Sequence, residues 1–215
     1  AGDDATATAH LLNFAPEDLD RIPDAYRLQH REFLRFVVDH EVFHCLDAMY
    51  IRPIPMSDHA FWAHYMLYRN EHGADAFAIA MHLREQSAAT RFVDNLARIR
   101  ALSLYNADPE HLTTSAITAA ARQDGAKLRR ASPREILALA DRIRDQVVAG
   151  YGGYLRFRAT TCRVMADIGT LAHEDRALCA AAHADEQEHR ALRDFSDRRL
   201  GELFQSARRS RYDPS

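Results

Sequence analysis

His40-Glu41-Val42-Phe43-His44 lies in a run whose apolar spacing is helical: Phe33, Phe36, Val37, His40, Phe43, His44 and Asp47 recur at intervals of three and four between Arg27 and about Met49. Pro53 and Pro55 end that helix and force an extended connection. Ser57-Asp58 then reads as an N-cap with an acidic first turn. A second helix is predicted from there to about Glu85, with Phe61, Trp62, Tyr65, Leu67, Tyr68, Phe77 and Met81 as its apolar content. Two helices in succession, the first carrying paired histidines, make the fold class mainly α.

The rest of the chain agrees with that reading. Leu112 to Arg122 is expected to be helical, and Ser132-Pro133 with Glu135 three residues after the cap opens another helix. Two more helical stretches are expected after Gly153 and Gly169, with Gly152-Gly153 and Gly169 as the main breaks. Upstream, Pro16 and Pro23 mark turns, and Leu11 to Phe14 is the one early candidate strand. Alanine, leucine and arginine are plentiful among the 215 residues while glycine and proline are scarce, which favours helix over sheet.

Composition excludes several functions. A formal charge of -3 gives no electrostatic case for nucleic acid or an anionic membrane. Nothing approaches the roughly 18 consecutive apolar residues of a membrane span. Cys45, Cys162 and Cys179 are odd in number and lack CxxC spacing, so neither a disulfide framework nor a cysteine zinc site is expected. The chain starts at Ala1-Gly2-Asp3-Asp4 with no signal-like apolar run, and the compartment, cytoplasmic or reached by export and processing, is not fixed by it.

The chemistry sits in the opening stretch. Residues four apart on a helix share a face, so His40 and His44 can aim both imidazoles at one point, as zinc ligands do. Glu41 falls beside the metal rather than on it, placed to take a proton from a zinc-activated water. A catalytic zinc takes three protein ligands and keeps one position for water. Asn70-Glu71-His72-Gly73-Ala74-Asp75 offers Glu71 as the third ligand. Asp75, one turn later, is placed to accept the free ring N–H of a ligand histidine and fix its tautomer. Gly73 between them is costly inside a helix and makes sense where the first helix or a substrate comes close.

A His-Glu-x-x-His helix followed by a helix bearing Asn-Glu-x-x-small-Asp resembles the gluzincin metallopeptidases, the family of thermolysin. The resemblance covers roughly residues 30 to 85. It implies one zinc per chain held by His40, His44 and Glu71, with Glu41 as general base, Asp75 behind the ligands, and a peptide or protein substrate. It also implies a downstream histidine or tyrosine that stabilises the oxyanion, for which Tyr151, Tyr154, His111 and His173 are the candidates. The chain departs from the family in a 27-residue interval from His44 to Glu71 and in having little that reads as strand before the motif. The expected architecture is a zincin-like core with rudimentary sheet over residues 1–105 and a helical subdomain over 106–215, packed on it or continuous with it as one domain.

A rival signal lies near the end. Glu186 and His189 repeat the Glu-x-x-His spacing of Glu41 and His44, and two such pairs plus two further glutamates make the di-iron site of ferritin-like bundles. The two further glutamates have no clear places, Glu135 and Glu174 being only arbitrary nominees, and His40 would then have no role. A non-catalytic scaffold with a zincin-like core is the third class. Asp47 is expected as a solvated or capping residue that could instead orient a ligand, Asp39 at the surface, and His59, His64, His72 and His82 at the surface or the core edge.

Overall fold

Residues 71–80 are buried without interruption, and a helix buried on every side has to be surrounded. The computed structural model describes residues 24–50, 61–106, 108–171, 173, 176–188, 190, 191 and 194. The predicted cap at Ser57-Asp58 and the Leu11 to Phe14 strand candidate lie outside the described residues. Among the described residues there is no strand, and the protein is mainly α.

The central helix is α2, Trp62–Gln86. Around it pack α1, His30–Tyr50; α4, Thr114–Ala121; α5, Gly125–Arg130; and α6, Pro133–Val147. The amphipathic α3, Arg91–Ala101, lies against α4. Last come α7, Tyr151–Asp167, and a further helical stretch over residues 176–188. Gly73, Ala74, Ala76, Ala78 and Ala80 are the reason several helices reach α2 at once: short side chains leave room for neighbours on all sides. One core runs from Leu28 through Phe36, Phe43, Phe77, Ile79, Leu83, Leu96 and Ile117 to Ile143. It therefore draws on residues either side of position 105.

Gly73 marks the closest approach. A Cβ built there would lie 2.5 Å from Phe43 Cζ and 2.7 Å from Cε1, and Phe43 is itself fully buried. Gly73→Ala should therefore destabilise by about 1–2 kcal/mol: overpacking at so short a distance falls in the upper part of its range, about 2–3 kcal/mol, and about 1 kcal/mol returns as helix propensity. A urea midpoint measures it, and an unchanged or higher midpoint would show that Phe43 yields without cost.

Local signals placed α6 well. Ser132 caps it and Glu135 returns the capping-box bond to the Ser132 N–H at 2.7 Å, with Pro133 in the first turn. The Gly152-Gly153 break, by contrast, is not there: both glycines lie inside the first turn of α7, whose N-cap is Gly150. A Cβ on Gly153 would sit 2.3 Å from Ala149 Cβ, so the glycine serves a tight entry to the helix rather than an exit. Gly169, at φ +77°, does end the helix region.

Four further expectations are corrected. Cys162 and Cys179 form a disulfide with Cα atoms 5.7 Å apart, joining α7 to the 176–188 helix; no sequence motif encodes a pairing that only the return of the chain creates. Asp39, expected at the surface, is buried and bonded by Arg35 Nε at 3.1 Å. His72 is fully buried, its Nδ1 donating to the Tyr68 carbonyl at 2.8 Å. Asp47 neither caps nor orients a ligand: buried, it accepts from Arg144 of α6 at 3.2 Å.

Candidate metal centre

α1 and α2 bring His40, His44 and Glu71 together into the one group among the described residues whose ligand atoms close on a point. His40 Nε2 and His44 Nε2 are 3.1 Å apart. Glu71 Oε2 is 3.2 Å from His40 Nε2, and Oε1 is 3.4 Å from His44 Nε2. Zinc bonds of about 2.0–2.1 Å in a tetrahedron put ligand atoms about 3.3 Å from one another. The three observed separations lie near that edge length, with the Glu71 carboxylate meeting His40 through Oε2 and His44 through Oε1. Glu71 Oε2 receives no aligned hydrogen bond despite its two imidazole neighbours, as expected of atoms aimed at a shared point instead of at each other.

The register explains why these helices suffice. α2 begins at Trp62, later than the sequence cap at Ser57 suggests. His44 is then six residues before the end of α1 and Glu71 nine after the start of α2, so the arms differ by about 4.5 Å, within reach of long side chains.

Behind the ligands lies Asp75, fully buried and saturated. Its Oδ1 accepts from His40 Nδ1 at 2.8 Å, as expected from the sequence. Arg100 of α3 adds Nε to Oδ2 at 2.9 Å and Nη2 to Oδ1 at 3.0 Å, and Thr113 Oγ1 donates to Oδ2. With Nδ1 of His40 held as the donor, Nε2 is the nitrogen left to face the ligand point, and its lone pair is free for a metal once its proton is lost.

His111 is the downstream candidate that the fold delivers. It ends a short 3-10 turn, Pro109–His111, and places Nε2 3.0 Å from Glu71 Oε2 while Nδ1 bonds Asp108 Oδ2 at 2.7 Å. It is not a member of the three-residue ligand group. The site opens on the side of His44 and His111, whose side chains are 28% and 31% exposed, against 6% for Glu71. Glu41 is exposed on the flank of α1, about 60° round the helix from His44.

The other candidates do not reach it. Tyr151 packs at an angle against the rings of Trp62 and Tyr65. Tyr154 is buried and bonds Glu110. His173 is exposed in the turn after α7. In the rival motif, Glu186 is bonded by Arg190, and Glu135 caps α6; Glu174 and His189 lie outside the described residues.

Metal-free, the cluster is a tight set of charges. Burial disfavours the His40 imidazolium, but the Asp75 and Glu71 contacts outweigh it and lift the pKa to about 9. Burial works likewise against His111, and Asp108 with Glu71 raises it to about 10. Glu71 is held far below the carboxylate range: burial pushes it up, and His111, His40 and His44 more than reverse this. A histidine pKa raised on folding stabilises fully below about 6.5, the unfolded value, and the gain is lost as pH rises through about 9. The metal-free chain should thus lose thermal stability between pH 6.5 and 9, whereas zinc-loaded protein, with neutral imidazoles, should not. Equal slopes in paired thermal melts would contradict this.

Compared with protein-family models, curated proteins and solved structures, the chain matches none of them.

Proposed function

We propose that the protein is a zinc-dependent peptidase of the gluzincin type, hydrolysing peptide bonds in peptide or protein substrates. The observation that carries this reading is the trio of ligand-atom separations among His40, His44 and Glu71, each near the edge of a zinc tetrahedron. Three protein ligands and a side open to solvent suit a catalytic site, which keeps one position for water, better than a closed structural one. That opening also speaks against a plugged scaffold.

When bound, zinc supplies positive charge that makes water more acidic and the scissile carbonyl more electrophilic. The chain's own residues do the rest. Glu41 accepts the proton of the attacking water and returns it to the leaving amine. His111, steadied by Asp108, presents Nε2 to the developing oxyanion. Asp75 with Arg100 fixes the orientation of His40. The Cys162–Cys179 disulfide suits an oxidising compartment, and among the described residues no helix is long and apolar enough to cross a membrane.

Metal analysis paired with a fluorogenic peptide library tests the proposal. One zinc per chain and cleavage abolished by chelation, then restored by zinc, is the expected result. Two irons per chain would support the di-iron reading, and zinc without cleavage the scaffold reading; either overturns the peptidase.

A further inference from the structure

The residue before His111 is also buried and carries more partners than a structural turn needs. Glu110 is 8% exposed. Its carboxylate accepts from Tyr154 Oη at 3.3 Å and lies 3.2 Å from Arg158 Nη1, both on α7, and 3.2 Å from His64 Nδ1 on α2. Two elements thus grip one carboxylate at the middle of the Pro109–His111 turn. A second grip lies two residues beyond His111: Thr113 Oγ1 is bonded to Asp75. The His111 carbonyl is held as well, by the Thr113 N–H at 2.8 Å and Ser103 Oγ at 3.1 Å.

The geometry points to Glu110 as a positioning residue that, with Tyr154 and Arg158, sets His111 against the metal centre. His111 has only Asp108 holding its ring from behind, and the Asp108 side chain is 43% exposed. An exposed carboxylate steadies a ring weakly. What fixes the ring in space is the backbone of a three-residue turn, and that backbone is tied down through Glu110. The buried Arg158 makes the tie firm: a charge that is 4% exposed keeps its partner close, since separation would leave both desolvated and unpaired. α7 thereby acts on a centre to which it gives no ligand. Tyr154 has a role too, through Glu110 and not by touching a reacting atom.

The functional consequence rests on the peptidase reading, but the placement of His111 does not, and the test separates them. Ring-nitrogen NMR of the full metal-free chain reports His111 directly. Glu110→Gln should shift or split the His111 resonances while leaving those of His40 and His44 in place. Tyr154→Phe, which removes one hydrogen bond and unpairs no charge, should do the same to a smaller degree if Glu110→Gln fails to fold. His111 resonances unchanged in a folded variant would overturn the proposal.

With zinc bound, Glu110→Gln should keep one metal per chain and lower kcat about 10- to 100-fold with KM within about twofold, the scale of an ångström misplacement. In a His111→Ala background the same substitution should cost less than about twofold more, because its target is gone. Full additivity in that double variant would show a general structural effect and sink the inference. If no chain cleaves peptide, the peptidase reading fails and the NMR arm still decides the placement.

Discussion

Glu41→Gln should retain one zinc per chain and the parent's melting temperature while lowering peptide hydrolysis by about 10²–10⁴-fold, the usual contribution of a general base. The separation of the two effects is what makes the variant informative. Glu41 is exposed on α1 and is not in the ligand group, so neither folding nor metal uptake depends on its charge. The amide keeps the size of the side chain and removes only its capacity to take a proton. Zinc content by elemental analysis and initial rates on one peptide settle it. Full activity in the zinc-loaded variant would remove Glu41 from the mechanism, and loss of zinc would mean that its carboxylate belongs to the coordination sphere.

Asp75→Ala should have the largest effect on stability, about 3–5 kcal/mol, because it strips the partner from a buried charge. Arg100 would keep its guanidinium among Phe36 and the buried face of α3 with both of its carboxylate bonds gone. Thr113 Oγ1 and His40 Nδ1 would lose their acceptor as well. Set against a typical domain stability of about 5–15 kcal/mol, that is a large share of the total and lowers the denaturation midpoint markedly. Asp75→Leu combined with Arg100→Met should recover part of the loss, since an apolar pair leaves no charge unpaired. Denaturant unfolding of both metal-free variants measures this. A single variant costing under 1 kcal/mol, or a double variant worse than the single, would refute the account.

How far the sequence alone reached can be read from these same residues. His40, His44, Glu71 and Asp75 were legible because each relation is set by helical spacing within two consecutive helices. Gly73 was legible too, since an unfavourable residue in a helix signals a close neighbour, and that neighbour is Phe43. Arg100 was missed although a signal existed: Phe92, Leu96 and Ile99 define the buried stripe of α3, and an arginine on that stripe calls for a buried acid. Asp108, Glu110 and Thr113 surround His111 through a turn with no periodicity, and nothing local announces the partners of Glu110 and Thr113 on α2 and α7. The disulfide and the Asp47–Arg144 pair failed to show for the same reason. Contacts 17 and 97 residues apart depend on how the chain returns, not on any local pattern.

The placement of the site along the chain has a bearing on synthesis. His40, His44 and Glu71 all belong to the first two described helices, whereas His111 and the α7 anchors of its turn come off the ribosome afterwards. At about 5–20 residues per second, the stretch from residue 71 to Arg158 takes several seconds to emerge. A nascent chain thus carries the whole His40, His44 and Glu71 cluster well before His111 and the anchors of its turn are in place. Under the proposed peptidase reading, metal loading would precede competence to cut, and the unfinished polypeptide would be spared its own chemistry while it folds.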